Sequence, residues 1–335
     1  MKRALITGIS GQDGSYLAGI LLKKGYKIIG GTRNPKSSPF RLSKLGILSQ
    51  VELVSLSMDN ETEIFHCIEE YRPDEIYNLA AQSSVQSSFD YPLDTAKVDA
   101  FGVAYLLEAI RKHSPNSRFF QASSSEIFGN KKCESENLPI SPSNPYSIAK
   151  SYAHLLTLNY RKIYHLHTVL GILFNHDSEL RGEHFFTKKV SHHVAKYHRG
   201  DKSILRVGNI YASRDIGYAP EYALAMYLSL QYKNPEDFII STGKTEIIKN
   251  FINYCFESIS INIQWRGEGE DERGFHSITG ELLIEVDKEK FRPSDIPVQE
   301  SNPEKIYNLL GWKSQKNLRE IAEIMVKAEI LELES

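Results

Sequence analysis

The stretch Arg3-Ala4-Leu5-Ile6-Thr7-Gly8-Ile9-Ser10-Gly11-Gln12-Asp13-Gly14-Ser15 decides how this chain folds. Its first five residues read as a short buried strand, and the glycines after it are spaced G-x-x-G-x-x-G. Such a turn lets backbone N–H groups approach a pyrophosphate at the start of the next helix, here expected from Ser15 to Lys24 and ended by Gly25. Tyr26 to Gly31 supplies the following strand. Strand, turn, helix and strand thus fit in about 30 residues, the size of one right-handed βαβ unit. Gly8, Gly11, Gln12, Asp13 and Gly14 are therefore the first candidates to hold a dinucleotide.

The alternation continues outward from this unit. Helices are expected around Glu61 to Tyr71, Asp99 to His113 and Pro145 to Tyr164, and strands at Glu75 to Leu79, Arg118 to Ala122 and Thr168 to Leu173. Regular αβ alternation argues for an α/β fold with a doubly wound, Rossmann-like parallel sheet and its ligand at the carboxyl ends of the strands. After Phe174 the pattern breaks into loops rich in His, Arg and Lys, two further helices and the Pro-containing segment Phe291 to Pro297. Residues 1–173 are expected to form the dinucleotide-binding domain. Residues 174–335 would mainly form a smaller mixed α/β substrate lobe, with some segments returning to the first.

Composition agrees with two lobes, because 335 residues exceed one comfortable core. A formal net charge of -2 gives no reason to expect a nucleic-acid or membrane partner. Cys67, Cys133 and Cys255 are odd in number and lack Cys-x-x-Cys spacing, which fits a reducing cytoplasm and offers no metal site. His192-His193 does not change this, since adjacent helical residues point apart. The basic run Lys188 to Arg199 reads as a solvated helix face. Met1 leads straight into a strand, and no apolar run approaches the roughly 20 residues that cross a bilayer. A cytoplasmic protein is expected.

The chemistry lies in Tyr146-Ser147-Ile148-Ala149-Lys150, which sets a phenol and an ammonium one helical turn apart. The ammonium can lower the phenol's pKa and hold a nicotinamide ribose, so Tyr146 can take or return a carbinol proton while hydride moves. The second strand ends in Gly31-Thr32-Arg33. A carboxylate there would suit a ribose 2′-hydroxyl, whereas the Arg33 guanidinium suits a 2′-phosphate, so NADP is the expected cofactor.

Together with Asn78-Leu79-Ala80-Ala81 and Gln121-Ala122-Ser123-Ser124-Ser125-Glu126-Ile127-Phe128-Gly129, these motifs make the chain resemble the extended short-chain dehydrogenase/reductases, which act on nucleotide-sugars. The resemblance implies that Ser124 binds the sugar C4 oxygen. Glu126 beside it points further, because removing the C5 proton with loss of the C6 hydroxyl needs a general base and acid, with Ser125 assisting. Gly8 to Leu17, Asn78 to Ser83, Gly171 to Ser178, Arg181-Gly182-Glu183, Gly208-Asn209, Arg214-Asp215 and Phe291-Arg292-Pro293 all resemble the GDP-mannose 4,6-dehydratase family. That likeness implies cofactor contacts from Leu79, Ala80, Ala81, Ser83, His176 and Arg181. It implies GDP-sugar contacts from Asn175, Lys189, Arg214 and Arg292, and a homodimer or homotetramer in which the loop Asn34 to Phe40 nears a neighbour's cofactor.

The chain also departs from the family pattern, and the changes at Leu180 and at Ser143-Asn144 flank the sugar pocket and so bear on the hexose more than on the reaction. Ser124 replaces threonine and keeps the hydroxyl; Ser57-Met58 replaces an Asp-Leu pair at the adenine; Asp94 replaces tyrosine. Leu180 replaces an arginine, and Ser143-Asn144 stands for Arg-Ser. The expected activity is an NADP-dependent 4,6-dehydratase of GDP-mannose. Rival readings are a dehydratase of another GDP-sugar such as an N-acetylated hexose or heptose, and a 4-reductase or epimerase, which Glu126 disfavours. A non-catalytic NADP sensor would not need Ser124, Tyr146, Lys150 and Glu126 together.

Overall fold

Four consecutive buried residues, Ala4 to Thr7, make Arg3–Thr7 an inner strand of the sheet. The computed structural model describes residues 1–36, 39–129, 131–288 and 300–334. Its first half runs β1 Arg3–Thr7, α1 Gln12–Lys23, β2 Lys27–Thr32, α2 Phe40–Lys44, β3 Val51–Ser55 and α3 Glu61–Tyr71. There follow β4 Glu75–Asn78, α4 Val85–Asp90, α5 Pro92–Ala96, α6 Gly102–His113, β5 Arg118–Ser124, α7 Pro145–Tyr164 and β6 Thr168–Leu173. The second half holds β7 Asn175–Asp177, α8 Phe186–His198, β8 Leu205–Val207, β9 Ser213–Arg214, β10 Ile216–Tyr218, α9 Ala219–Gln231 and β11 Asp237–Ile240. It ends with β12 Glu246–Ile247, α10 Ile248–Glu257, β13 Ile263–Arg266, β14 Arg273–His276, β15 Leu282–Val286, α11 Glu304–Leu310 and α12 Leu318–Glu334.

The main sheet is parallel, in the order β11-β6-β5-β4-β1-β2-β3. Chain order reverses at β1, so a crevice opens where β1 and β4 end and their connections part. Register puts Thr7 beside both Gly31 and Asn78, and Asn78 beside Gln121, so the segments after β1, β2, β4 and β5 leave from one edge. Leu17, Ala18 and Leu21 of α1 pack one face with Tyr222, Ala223 and Met226 of α9; Ile64, Leu106, Ile110 and Ala153 cover the other.

Several expectations change here. Helix α1 begins at Gln12 rather than Ser15, because Gly11 takes the extended N-cap conformation. The helix expected from Asp99 starts as a π-helical turn, Lys97–Phe101, and becomes α-helical at Gly102. Strand β5 reaches Ser124, and β3 is an additional strand at the sheet edge. Beyond Phe174 the described residues form five helices, not two. Strand β11 pairs with β6, and α9 and α11 join the core of the first sheet. The segment 291–297, with Arg292, lies outside the described residues.

Helices α8, α10 and α12 surround a second core with the sheet β13-β14-β15-β8. The α8 basic run is not simply solvated: Lys188 is buried, its ammonium bonds the buried Glu329 of α12, and His192 Nδ1 lies 2.7 Å from the same carboxylate. The α8–α12 contact thus combines apolar packing with an internal ion pair.

Candidate active site

The glycine turn is shaped by close approach. Gly8 has φ +69°, and a Cβ on it would sit 2.8 Å from the Ala80 backbone nitrogen. A Cβ on Gly14 would collide with the Gly8 carbonyl. Gly11 provides no side-chain cap, so the first turn of α1 keeps N–H groups for an anionic ligand. The turn borders a cleft of about 970 Å³. Arg33 and Ser57 line one end, Gly8, Ser10 to Gly14 and Leu79 to Ser83 its middle, and Ser124, Ser125, Glu126, Tyr146 and Lys150 the other. These features fit a dinucleotide, and the Arg33 guanidinium is exposed at one end of the cleft.

A ladder of side chains links the strands beneath this cleft. Thr7 Oγ1 donates to Asn78 Oδ1 at 2.6 Å and accepts from the Leu79 and Ala80 N–H groups, both at 3.1 Å. Asn78 Nδ2 donates to Gln121 Oε1 at 2.8 Å, and Gln121 Nε2 to the Ala122 carbonyl at 2.9 Å. Lys150 Nζ donates to that same carbonyl at 3.0 Å. The ladder fixes the loop Leu79 to Ser83 and the Lys150 ammonium relative to one another.

Ser124 ends β5 and caps the short 3-10 turn Ser125–Phe128, accepting from the Glu126 N–H at 3.2 Å. Its hydroxyl lines the same cleft as the buried Tyr146 phenol. Asn144, marked in the sequence only as a departure beside the pocket and given no role there, caps α7 by accepting from the Ser147 N–H at 2.8 Å, and its Nδ2 reaches Glu126 Oε2 at 3.5 Å. The signal was present: Asn144-Pro145-Tyr146-Ser147 is a capping box with proline at N1.

One electrostatic expectation is reversed. Lys150 Nζ lies 5.8 Å from the Tyr146 ring centroid and is turned onto the Ala122 carbonyl. Burial, with the Asp99 carboxylate next, pushes the phenol above its ordinary value, and the Ser124 hydroxyl and Arg181 only partly oppose them. Burial likewise lowers the Lys150 pKa, against Asp99.

His176 and Arg181 also line the cleft. His176 stacks on the Tyr222 ring, centroids 4.5 Å apart, and its Nε2 lies 2.9 Å from Asp13 Oδ2. Arg181 forms a close ion pair with Asp177, Nε to Oδ1 2.7 Å, without hydrogen-bond alignment, and lies over the Phe185 ring at 3.5 Å. Arg41, also missed, donates to the Ser10 carbonyl at 3.0 Å and the Leu180 carbonyl at 2.6 Å, tying the glycine turn to the second lobe.

Of the residues expected at the sugar-nucleotide, Asn175 lines the cleft. Lys189 and Arg214 do not border it: Lys189 Nζ donates to the Arg206 carbonyl at 2.6 Å and Arg214 to the Ser213 carbonyl at 2.9 Å. Arg292 is outside the described residues.

The family model described as GDP-mannose 4,6 dehydratase matches residues 5–325. A GDP-mannose 4,6-dehydratase of Sinorhizobium fredii is 38% identical over 98% of this chain and 97% of its own. One from Dictyostelium discoideum is 39% identical over 98% and 96%, and one from Homo sapiens 38% over 98% and 91%. Among solved structures, RMD from Pseudomonas aeruginosa complexed with NADPH superposes with TM-score 0.78 at 18% identity, covering 99% of this chain and 100% of that one. A dTDP-glucose 4,6-dehydratase from Bacillus anthracis in complex with NAD gives 0.80 at 19%, covering 100% and 98%. At these identities the structural likeness shows the fold.

Proposed function

This chain belongs to the GDP-mannose 4,6-dehydratase family, and on that footing we propose an NADP-dependent lyase reaction that converts GDP-mannose to GDP-4-keto-6-deoxy-mannose and water. The observation that carries it is Glu126 facing the same cleft as Ser124, Tyr146 and Lys150, held there by Asn144. Bound in the cleft, the nicotinamide supplies a hydride acceptor at C4 and a donor at C6, so no external reductant is needed.

The residues divide the remaining work. Gly8, Gly11 and Gly14 admit the pyrophosphate to the α1 N-terminus, with Gln12 and Asp13 ordering the turn; Arg33 meets the 2′-phosphate. Leu79, Ala80, Ala81 and Ser83 would wall the cofactor, and His176 and Arg181 would contact it. Tyr146 receives the C4 hydroxyl proton, Ser124 orients that oxygen, and Lys150 holds the ribose. The resulting ketone acidifies C5–H, which Glu126 removes before protonating the departing C6 hydroxyl, assisted by Ser125. Asn175, Lys189, Arg214 and Arg292 would meet the GDP group.

A cytoplasmic location is supported by Cys67, Cys133 and Cys255, all buried and without disulfides. Assembly as a homodimer or homotetramer is supported by the exposed Ile148, Tyr152 and Leu155, which share one face of α7 and adjoin the exposed Phe101, 6.2 Å from the Tyr152 ring.

The test is incubation with GDP-, UDP-, dTDP- and CDP-sugars without added reductant. A 4-keto-6-deoxy product from GDP-mannose, with no net NADPH consumed, is expected; stoichiometric NADPH loss would indicate a reductase. E126Q should still pass hydride from C4 yet release no water, and unimpaired turnover by it would remove Glu126 from the elimination.

A further inference from the structure

Thr7, Asn78 and Gln121 are fully buried polar side chains that none of these roles uses. Strand register sets them in one row, Thr7 of β1 opposite Asn78 of β4 and Asn78 opposite Gln121 of β5. The row lies beneath the cleft without bordering it, whereas the residues that follow, Gly8, Leu79 and Ala122, line it. Strand β4 pairs with β5 no further than Gln121, so Ala122 leaves the ladder on that side. Its carbonyl accepts from two side chains, Gln121 Nε2 at 2.9 Å and Lys150 Nζ at 3.0 Å.

These bonds admit one orientation. A carbonyl accepts and cannot donate, so Gln121 must turn its amide nitrogen to Ala122 and its oxygen to Asn78. Asn78 must then present Nδ2 to Gln121, at 2.8 Å, and Oδ1 to Thr7, whose hydroxyl donates to it at 2.6 Å. With its proton committed, Thr7 Oγ1 has lone pairs for the Leu79 and Ala80 N–H groups and accepts from both at 3.1 Å. The polarity of the row is thus set at its Ala122 end. Burying two amides and a hydroxyl where apolar side chains would pack at less cost serves fixed position, because a satisfied polar network is rigid. At that end an ammonium has three donors. Among the described residues Lys150 Nζ spends one of them, on Ala122, and the side chain lines the cleft, which leaves two for a ligand.

We propose that Gln121 is a positioning residue for the reaction, holding the Ala122 carbonyl as the seat of the Lys150 ammonium while Asn78 fixes which end of the Gln121 amide faces that carbonyl. This inference rests on the role given above to Lys150 at the nicotinamide ribose. With Nε2 in place, Lys150 spends one N–H on its seat and keeps two for the ribose. An oxygen in place of Nε2 would set a second acceptor beside the Ala122 carbonyl and draw a further N–H of Lys150 away from the cleft. A group without polar atoms would leave the carbonyl held by Lys150 alone.

Q121E makes the first change with the shape of the side chain kept, and Q121M makes the second; folding of each is checked by circular dichroism and thermal midpoint, and should one fold poorly the other carries the test. Q121E is expected to lower kcat roughly a hundredfold, as a misplacement of about 1 Å can, and Q121M roughly tenfold, as the loss of about one hydrogen bond can. KM for GDP-mannose should stay about unchanged, because residue 121 does not border the cleft. Independently of turnover, the ε-carbon resonance of Lys150 in ¹³C-lysine-labelled protein, assigned with K150R, should shift in both variants at fixed pH. A purely structural Gln121 would lower the thermal midpoint and leave that resonance, and kcat per folded molecule, where they are. Wild-type kcat with an unmoved Lys150 resonance in the folded variants overturns the proposal. If Y146F and K150M are themselves fully active, it is the site assignment that fails; if they are inactive while folded Q121E and Q121M turn over like wild type, only the role of Gln121 falls.

Discussion

Nε2 of His176 lies 2.9 Å from an Asp13 carboxylate oxygen, while Nδ1 of the same ring lies 2.7 Å from the Phe174 carbonyl oxygen. Both partners are acceptors, so the ring satisfies them together only as an imidazolium donating from each nitrogen. Burial alone would lower the His176 pKa, but the Asp13 charge and hydrogen bond, with the Phe174 carbonyl, reverse this and hold it above its ordinary value. Asp13 mirrors it: burial would raise its pKa, yet His176, Gln12 and Arg181 bring it below the ordinary carboxylate value. An acid can thus sit in the first turn of α1, at the cleft, because its charge is already matched.

This pair predicts a pH-dependent stability. A histidine whose pKa is raised by folding stabilises fully below its unfolded value of 6.5, and that contribution fades as pH climbs through the higher folded value. The Asp13 contribution is complete above its unfolded value of 3.8 and fades as pH falls through the lower folded value. The thermal midpoint advantage of wild type over H176Q should therefore be greatest at mildly acidic pH and shrink as pH rises to about 9. Calorimetric scans across that range check it, and an advantage that grows with alkalinity contradicts the ion pair.

Asn144 has two separable duties, capping α7 and restraining Glu126. N144A removes both, and should cost about 1 kcal/mol in unfolding free energy together with a loss of turnover. N144S keeps a cap oxygen but is too short to reach Glu126, so stability should stay within about 0.5 kcal/mol of wild type while elimination slows. Urea unfolding measures the first effect, and solvent deuterium incorporation at the sugar C5 the second. Normal deuterium incorporation by N144S would show that Glu126 needs no such restraint.

How legible the site was depended on whether a residue's partners were near in sequence. The glycine turn, Ser124, Glu126, Tyr146 and Lys150 announce themselves because strand ends and helix starts carry local signals, and their spacing within one element fixes which face they share. Asp99 does not, since its inward position follows from one π-helical turn that a 3.6-residue period cannot reveal. Arg41 and Lys188 were equally hidden: their partners Leu180 and Glu329 lie 139 and 141 residues away. Strand β11 offers only Asp237-Phe238-Ile239-Ile240, too short an apolar run to distinguish from part of a helix, so its return to the first sheet appears only in three dimensions.

Arg33 should decide between the two nicotinamide dinucleotides. It is exposed at the rim of the cleft, just after β2, where its main service to a ligand is a charge-assisted bond to a phosphate. R33A should weaken NADP binding by roughly tenfold to a hundredfold, as expected for losing a hydrogen bond to a charged group worth about 1.5–3 kcal/mol, and should leave NAD affinity nearly unchanged. Titrating both dinucleotides by calorimetry measures the ratio. Equal losses for the two cofactors would mean that Arg33 does not read the 2′-phosphate.

Glu329 tests whether the second lobe depends on its buried charges. Its carboxylate is 3% exposed, bonded to the buried Lys188 and 2.7 Å from His192 Nδ1, so α12 is locked to α8 at one point inside an otherwise apolar contact. E329Q leaves the Lys188 ammonium buried and short of its counter-charge, which should lower unfolding free energy by about 3 kcal/mol. Removing both charges with similar shapes, as in K188M/E329L, removes the desolvation penalty as well, so the double variant should be more stable than E329Q, within about 1 kcal/mol of wild type. A double-mutant cycle in urea gives the coupling directly. Strictly additive losses would mean that the two side chains do not act as a pair and that the apolar packing of α8 against α12 carries the contact by itself.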